Sequence, residues 1–254
     1  KHLILTGKNG SGKTSIIKEL VNFFEYLLHS NFTLKTEITK EINSFIEAHK
    51  KAINNGKMKF ASNIQDSIEF NKIQLKNWSA AYADCDYFEL REKYKNSNFI
   101  ISYYPAERRS KNEVSNTIET ITINDTYSVK DRPGIKLVKY MVAKKATQAF
   151  AQQKGNLEKS KEIEEWFIRF ENILKKIFDD QDIKLDFDID SFKFSILQSG
   201  HEPFDFNTMS DGYSAVFDII NDLIMRTEKK GATVEGIVLI DEIETHLHLE
   251  LQKS

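Results

Sequence analysis

The 254-residue sequence contains few of the residues that cross-link a chain or interrupt its secondary structure. It has one cysteine, Cys85, which excludes an intramolecular disulfide and a cysteine-based zinc site. Three prolines and ten glycines exclude a collagenous chain and a disordered one. No run of 18 apolar residues is present, which excludes a membrane-spanning helix, and no secretory signal is recognisable. We therefore expect a cytoplasmic protein that keeps its cysteine reduced.

Neither sign of charge is in large excess. The chain has 36 lysines and arginines against 38 aspartates and glutamates, which excludes a uniformly basic protein that coats nucleic acid. Two adjacent stretches depart from this balance: residues 130–161 contain nine basic residues and two acidic ones, and residues 162–190 contain ten acidic residues and four basic ones. The basic stretch 130–161 is either a set of solvated helix faces or a contact surface for DNA, RNA or a partner protein.

Strand and helix patterns alternate along the chain, which predicts an α/β fold with buried parallel strands. Hydrophobic residues make up 40% of the sequence, enough for the core of one large domain or two small ones. The predicted elements are a strand at 2–6, a helix at 14–29, a mostly helical region at 35–98, a strand at 99–104, an edge strand at 117–123, long helices within 135–180, a β-hairpin at 183–196, a helix at 209–225 and a buried strand at 236–240.

The first motif lies between the first strand and the first helix. Its sequence, GKNGSGKT at 7–14, is typical of a phosphate-binding loop, in which glycines allow backbone N–H groups to converge on phosphate oxygens. The start of the following helix adds a favourable dipole for an anion. Lys13 is predicted to reach the β- and γ-phosphates of ATP, and the Thr14 hydroxyl to bind Mg²⁺. The predicted nucleotide-binding residues are Gly7, Asn9, Gly10, Ser11, Gly12, Lys13, Thr14 and Ser15.

The second motif is an apolar strand that ends in two carboxylates, Asp241 and Glu242. Ligands of parallel sheets bind at the carboxyl ends of the strands, which is also where the phosphate loop is expected. Asp241 is therefore predicted to hold Mg²⁺, directly or through water. Glu242 is predicted to orient and deprotonate the water that attacks the γ-phosphate, so that Glu242 and Lys13 are the candidate catalytic residues.

The third motif, MSDGY at 209–213, precedes an apolar helix pattern. Ser210 is a favourable N-cap and Gly212 permits the close approach of a ligand, so the start of this helix is a second candidate anion site. Two anion sites far apart in one sequence favour a sandwich of two copies. In such a sandwich Ser210, Asp211 and Gly212 of one copy would contact the γ-phosphate held by the other.

The order of these motifs, GKNGSGKT, then MSDGY, then a strand ending in IDE, resembles that of the ABC-type ATPase heads. The segment IDEIETHLH at 240–248 resembles the RecF- and OLD-like ATPases and the ATPase subunits of bacterial anti-phage systems, such as PtuA of Septu and retron-associated ATPases. The resemblance implies an α/β P-loop NTPase fold of ABC-ATPase type over residues 1–254, incomplete at both ends. It also implies a largely helical insertion at 31–180 and a β-hairpin at 181–215 that leads into the signature motif MSDGY.

The resemblance further implies an ATPase that dimerises when it binds ATP and reopens on hydrolysis. Its cofactors would be ATP and Mg²⁺. Its partners would be a second copy and a nuclease or other effector in anti-phage defence, with no membrane partner. Two alternatives remain open, a DNA-repair ATPase of RecF or SMC-like type and an ATP-stabilised scaffold with little turnover. A transporter ATPase is disfavoured, because MSDGY departs from the transporter signature and a long insertion separates Lys13 from Ser210.

Overall fold

The computed structural model describes residues 5, 8, 10–28, 33, 35–79, 86–106, 112–113, 117–230 and 234–242. Its helices are α1 (Lys13–Leu28), α2 (Lys35–Asn54), α3 (Met58–Ser79), α4 (Tyr87–Lys95), α5 (Leu137–Gln153), α6 (Leu157–Ile177) and α7 (Asp211–Thr227). Its strands are β1 (Phe99–Tyr104), β2 (Lys184–Asp188), β3 (Lys193–Leu197) and β4 (Glu235–Ile240), and a short 3₁₀ helix at Pro133–Lys136 precedes α5. The strand predicted at 2–6 lies outside the described residues apart from Leu5. None of the described helices is long and apolar enough to cross a membrane.

The described residues form two compact units. The first contains those of Lys1–Tyr103, Ser128–Lys130 and Glu235–Asp241, and the second contains those of Tyr104–Tyr127, Asp131–Val234 and Glu242–Ser254. Helices α1 to α4 therefore belong to the first unit, and α5 to α7 with the β2–β3 pair belong to the second. The domain, insertion and hairpin boundaries implied by the resemblance stay predictions.

Helix α1 organises the core of the first unit. It runs from Lys13 to Leu28, close to the predicted 14–29, and its apolar residues recur at helical spacing along one face. This face packs against α2, β1 and the short segment 128–130. The buried members of the cluster are Ile17, Val21, Phe23, Phe24, Leu27, Ile38, Ile42, Ile101 and Val129.

Strands β1 and β4 are neighbours in a two-stranded sheet. Strand β1 occupies the predicted range 99–104, and Ile101 is completely buried. The strand predicted at 236–240 is confirmed as β4, but the prediction that it is buried on both faces is wrong, because Val238 is 40% exposed. Successive side chains of a strand point to opposite faces, so Ile237 and Leu239 pack against the α1 core while Val238 faces away from it.

Helices α2 and α3 form a helical hairpin within the first unit. Gly56, with φ of +69°, ends α2 in the left-handed region that favours glycine. The Lys57 and Gly56 N–H groups donate to the carbonyl oxygens of Ala52 and Ile53, each at 2.9 Å, which is the hydrogen-bond pattern of a Schellman motif. The pattern fixes the turn, and the two helices then bury Ala52, Ala61, Ile64 and Ile68 between them.

The second unit is built on α6, whose apolar face packs against α5, α7 and the β2–β3 pair. Strands β2 and β3 are antiparallel, with Phe187 opposite Phe194 and their ring centroids 4.6 Å apart, so the predicted hairpin is confirmed. The buried residues of α6 are Ser160, Ile163, Trp166, Phe167, Phe170, Leu174 and Ile177.

The alternating segment 117–123 is not a strand, and that prediction is wrong. Ile123 is buried in the core of the second unit, and Ile121 packs against the same core. The apolar pattern therefore reflects contact of Ile121 and Ile123 with that core, whereas Ile118 is 50% exposed. It does not reflect pairing in a β-ladder.

Candidate functional site

The described part of the phosphate loop, Lys8 and 10–14, is a tight turn that leads directly into α1. The Ser11 N–H donates to the Lys8 carbonyl oxygen at 3.1 Å, and the φ angles of Gly10 and Gly12 are +81° and +87°. A Cβ atom at either glycine would meet no described atom within 4 Å. The positive φ, and not crowding, is therefore what requires glycine at both positions.

Lys13 is the first residue of α1, and its side chain folds back over the loop. Its Nζ donates to the Lys8 carbonyl oxygen at 3.2 Å. The ammonium group thus lies at the loop, where a bound phosphate would place its negative charge. Ser15 is exposed in the first turn of α1, whereas Gly7 and Asn9 lie outside the described residues.

A hydrogen bond joins the first two sequence motifs within the first unit. The Thr14 hydroxyl donates to Oδ1 of Asp241 at 3.1 Å, although the two residues are 227 positions apart. Asp241 follows the last residue of β4 and is 2% exposed, so its carboxylate is held in a buried position beside the phosphate loop.

The Thr14–Asp241 pair fits a magnesium ion by its chemistry. A hydroxyl and a carboxylate are the hard oxygen donors that Mg²⁺ prefers, and phosphate oxygens complete the set in phosphoryl-transfer sites. No group of three or more His, Cys, Asp or Glu residues that could hold a metal occurs within the described residues.

Glu242 follows Asp241 with an unusual backbone. Its φ is +50°, a left-handed conformation that costs a residue with a Cβ atom about 1 kcal/mol. The residue is partly buried. Strained residues of this kind occur often at active sites, because the surrounding structure holds a side chain in a required direction.

The signature residues begin α7 in the second unit. Ser210 occupies the N-cap position with extended backbone angles, as predicted. Its hydroxyl makes no capping hydrogen bond with the helix and Ser210 is exposed, so the hydroxyl is accessible to a ligand. Asp211 is the first helical residue and Gly212 lies in the first turn, partly buried.

A comparison with known protein families identifies the family to which the chain belongs. A family model described as "AAA domain, putative AbiEii toxin, Type IV TA system" matches residues 3–254. The chain belongs to this family. Its members are P-loop ATPases of the ABC/RecF-like kind, which confirms the class of protein predicted from the phosphate loop. No curated protein and no solved structure matches the chain.

Helix α7 of this AAA-family protein carries a buried polar network that the sequence analysis did not identify. Asp222 is 1% exposed and Arg226 is 2% exposed, and Arg226 Nε donates to the Asp222 carboxylate at 2.6 Å. The same carboxylate accepts from the Tyr104 hydroxyl at 2.9 Å and from the Gly134 N–H at 3.3 Å. The available sequence signal was an Asp and an Arg four residues apart on the apolar face of an amphipathic helix.

Gly134 and Arg132 complete the contacts of this network. A Cβ atom on Gly134 would lie 2.5 Å from the Asp222 backbone nitrogen, so only glycine allows the 3₁₀ helix to pack this closely on α7. Arg132 forms an ion pair with Asp218, and its guanidinium lies 5.0 Å from the centre of the Tyr104 ring. The network therefore holds the signature helix to two separate segments of the second unit.

The basic stretch 130–161 is largely neutralised by ion pairs. Five of its nine basic residues pair with carboxylates, at positions 132, 139, 144, 159 and 161. Lys144 lies 2.9 Å from Glu228, and both side chains are mostly buried. Lys145 lies 4.2 Å from the centre of the Phe167 ring, and burial lowers the pKa of its ammonium. Because these charges are used in contacts within the chain, they argue against a nucleic-acid surface in this stretch.

Proposed function

We propose that the chain is an ABC-type ATPase head that binds and hydrolyses ATP with Mg²⁺. In this proposal it is a switch that dimerises with nucleotide and controls a partner or appended nuclease in anti-phage defence. The observation that carries the proposal is the Thr14–Asp241 hydrogen bond, which joins the phosphate loop and the acidic strand end in one site. Membership of a family described by a toxin of a type IV toxin–antitoxin system supports the defence setting.

Each residue of the site then has a defined task. The loop N–H groups and Lys13 hold the phosphates, and Thr14 and Asp241 would hold Mg²⁺, which supplies charge neutralisation when bound. Glu242 accepts a proton from the attacking water as the bond between the γ-phosphorus and the bridging oxygen breaks. The Ser210 hydroxyl and the start of α7 of a second copy contact the γ-phosphate, so nucleotide closes the dimer and hydrolysis releases it.

ATP binding and hydrolysis test the assignment of the site. We expect Lys13→Ala to abolish ATP binding, and Glu242→Gln to bind ATP normally but to hydrolyse it at least ~100-fold more slowly, because it removes the general base. Glu235→Gln is the matched control, because Glu235 is the first residue of β4, the strand that leads to Asp241 and Glu242. Glu235 is exposed and forms an ion pair with Lys93. Equal rates for the two glutamine variants would refute the role of Glu242, and very slow hydrolysis by the unmodified chain would favour an ATP-stabilised scaffold.

Mixing two inactive variants tests the signature contact. Ser210→Arg should block the second anion site and Lys13→Ala the first, so each variant alone is inactive. In a dimer with one copy of each, one of the two composite sites is intact, and an equal mixture should regain about one quarter of the wild-type rate. A mixture that stays inactive, while both variants remain folded, would contradict the sandwich.

A further inference from the structure

The turn between α2 and α3 concentrates positive charge. Between Lys50 and Lys59 the chain has four lysines and no carboxylate, whereas 35–48 has two lysines and three glutamates and 61–79 has two lysines and two acidic residues. The four lysines, at 50, 51, 57 and 59, are exposed, and none forms an ion pair within the described part of the chain. The excess positive charge of this hairpin is therefore confined to its tip, the segment 50–60.

The tip also exposes apolar side chains among these lysines. Ile53, Met58 and Phe60 are 44%, 67% and 57% exposed. The hairpin does not need them for its own packing, which is supplied by buried alanines and isoleucines further along the two helices. A surface that alternates ammonium groups with exposed apolar and aromatic groups fits a partner that is anionic and has flat apolar faces.

The backbone of the tip is fixed. The Schellman hydrogen bonds at Gly56 define the turn. The backbone that carries the lysines and Phe60 is therefore ordered before a partner binds, which lowers the entropy lost on binding. The apex of the turn is formed by Asn54 and Asn55, both exposed. Amide side chains are costly in hydrocarbon but hydrogen-bond readily to phosphates and bases, which favours nucleic acid over a lipid surface.

We propose that the α2–α3 tip binds single-stranded nucleic acid. The lysines contact successive phosphates, and Phe60 stacks on an unpaired base. A duplex keeps its bases stacked on one another, so a single strand is the form whose base faces Phe60 can reach. The tip is a different segment of the chain from the basic stretch 130–161, in which five of the nine basic residues are paired with carboxylates.

The test measures the binding of a fluorescent 20-nucleotide oligothymidine by anisotropy, without ATP, so that it does not depend on the proposed ATPase cycle. We expect Phe60→Ala to weaken binding about tenfold, because stacking of one base contributes ~1–3 kcal/mol. The matched control is Phe150→Ala, since Phe150 is 58% exposed near the α5–α6 turn and should not matter. Circular dichroism establishes that both variants stay folded.

The salt dependence supplies a second readout. Each phosphate contact on a single strand contributes about 0.7 to the slope of log affinity against log salt, so Lys57→Gln with Lys59→Gln should reduce that slope by about 1.4. Lys154→Gln, at the α5–α6 turn, should leave the slope unchanged. The proposal is overturned if the oligonucleotide does not bind at low salt or if Phe60→Ala and Phe150→Ala behave alike. It is equally overturned if the tip variants lose binding only to a matching duplex or to phosphatidylglycerol vesicles.

Discussion

Removal of the Asp222 carboxylate should destabilise the protein strongly. Asp222→Ala deletes the acceptor for Arg226, for the Tyr104 hydroxyl and for the Gly134 N–H. Arg226 is 2% exposed, so its guanidinium would be left buried without this carboxylate. Removing one partner of a buried ion pair costs about 3–5 kcal/mol, since the remaining charge stays desolvated.

Thermal unfolding followed by circular dichroism measures this effect. For a unit of 150–250 residues each kcal/mol lowers Tm by about 2–4 °C, so we expect a decrease of roughly 6–20 °C. Glu162→Ala is the control: it removes the exposed pair with Lys159, 2.7 Å apart, and should cost less than ~1 kcal/mol. The double variant Asp222→Leu with Arg226→Met removes both charges and should be more stable than Asp222→Ala. If Tm falls no further for Asp222→Ala than for Glu162→Ala, the buried Asp222–Arg226 pair does not stabilise the fold as described.

Two further predictions concern single positions in the second unit. Gly134→Ala should lower the free energy of unfolding in urea by about 1–3 kcal/mol. Its Cβ would lie 2.5 Å and 2.7 Å from backbone atoms of Asp222, so α7 must move. An unchanged midpoint of the urea unfolding curve would contradict the packing described. In the β2–β3 turn, N–H groups of Ser191 and Asp190 lower the pKa of the Asp188 carboxyl below its ordinary 3.8. The carboxylate therefore stabilises the fold above pH 3.8 and loses this effect as the pH falls through the lowered pKa. The stability difference from Asp188→Asn should shrink over that range, and a difference independent of pH would contradict this assignment.

Local patterns predicted the local elements well. The phosphate loop, α1, β1 and the β2–β3 hairpin each depend on a contiguous run of residues, in which spacing and turn chemistry determine the structure. The observed bounds of α1 and β1 differ from the predicted ones by no more than one residue. The assigned roles of the site residues remain predictions until nucleotide binding is measured.

The features that local patterns predicted wrongly, left open or missed depend on distant neighbours. The burial of β4 depends on which elements cover each face of the sheet, and the apolar run at 236–240 carries no information about those elements. Three of the nine basic residues in 130–161 pair with carboxylates from elsewhere in the chain, namely Asp218, Glu113 and Glu228. The network around Asp222 likewise joins polar groups from three separate segments, since the Tyr104 hydroxyl and the Gly134 N–H both donate to a carboxylate of α7, and no local pattern reports such contacts.

If ATP closes two copies around the nucleotide, the mass of the protein in solution must increase when ATP binds. Glu242→Gln should block hydrolysis and trap the closed state, so light scattering with ATP and Mg²⁺ should show twice the mass seen without nucleotide. The chain mass of 29.5 kDa makes this change easy to resolve. A variant that binds ATP with Mg²⁺ yet keeps the mass of a single chain would contradict the account.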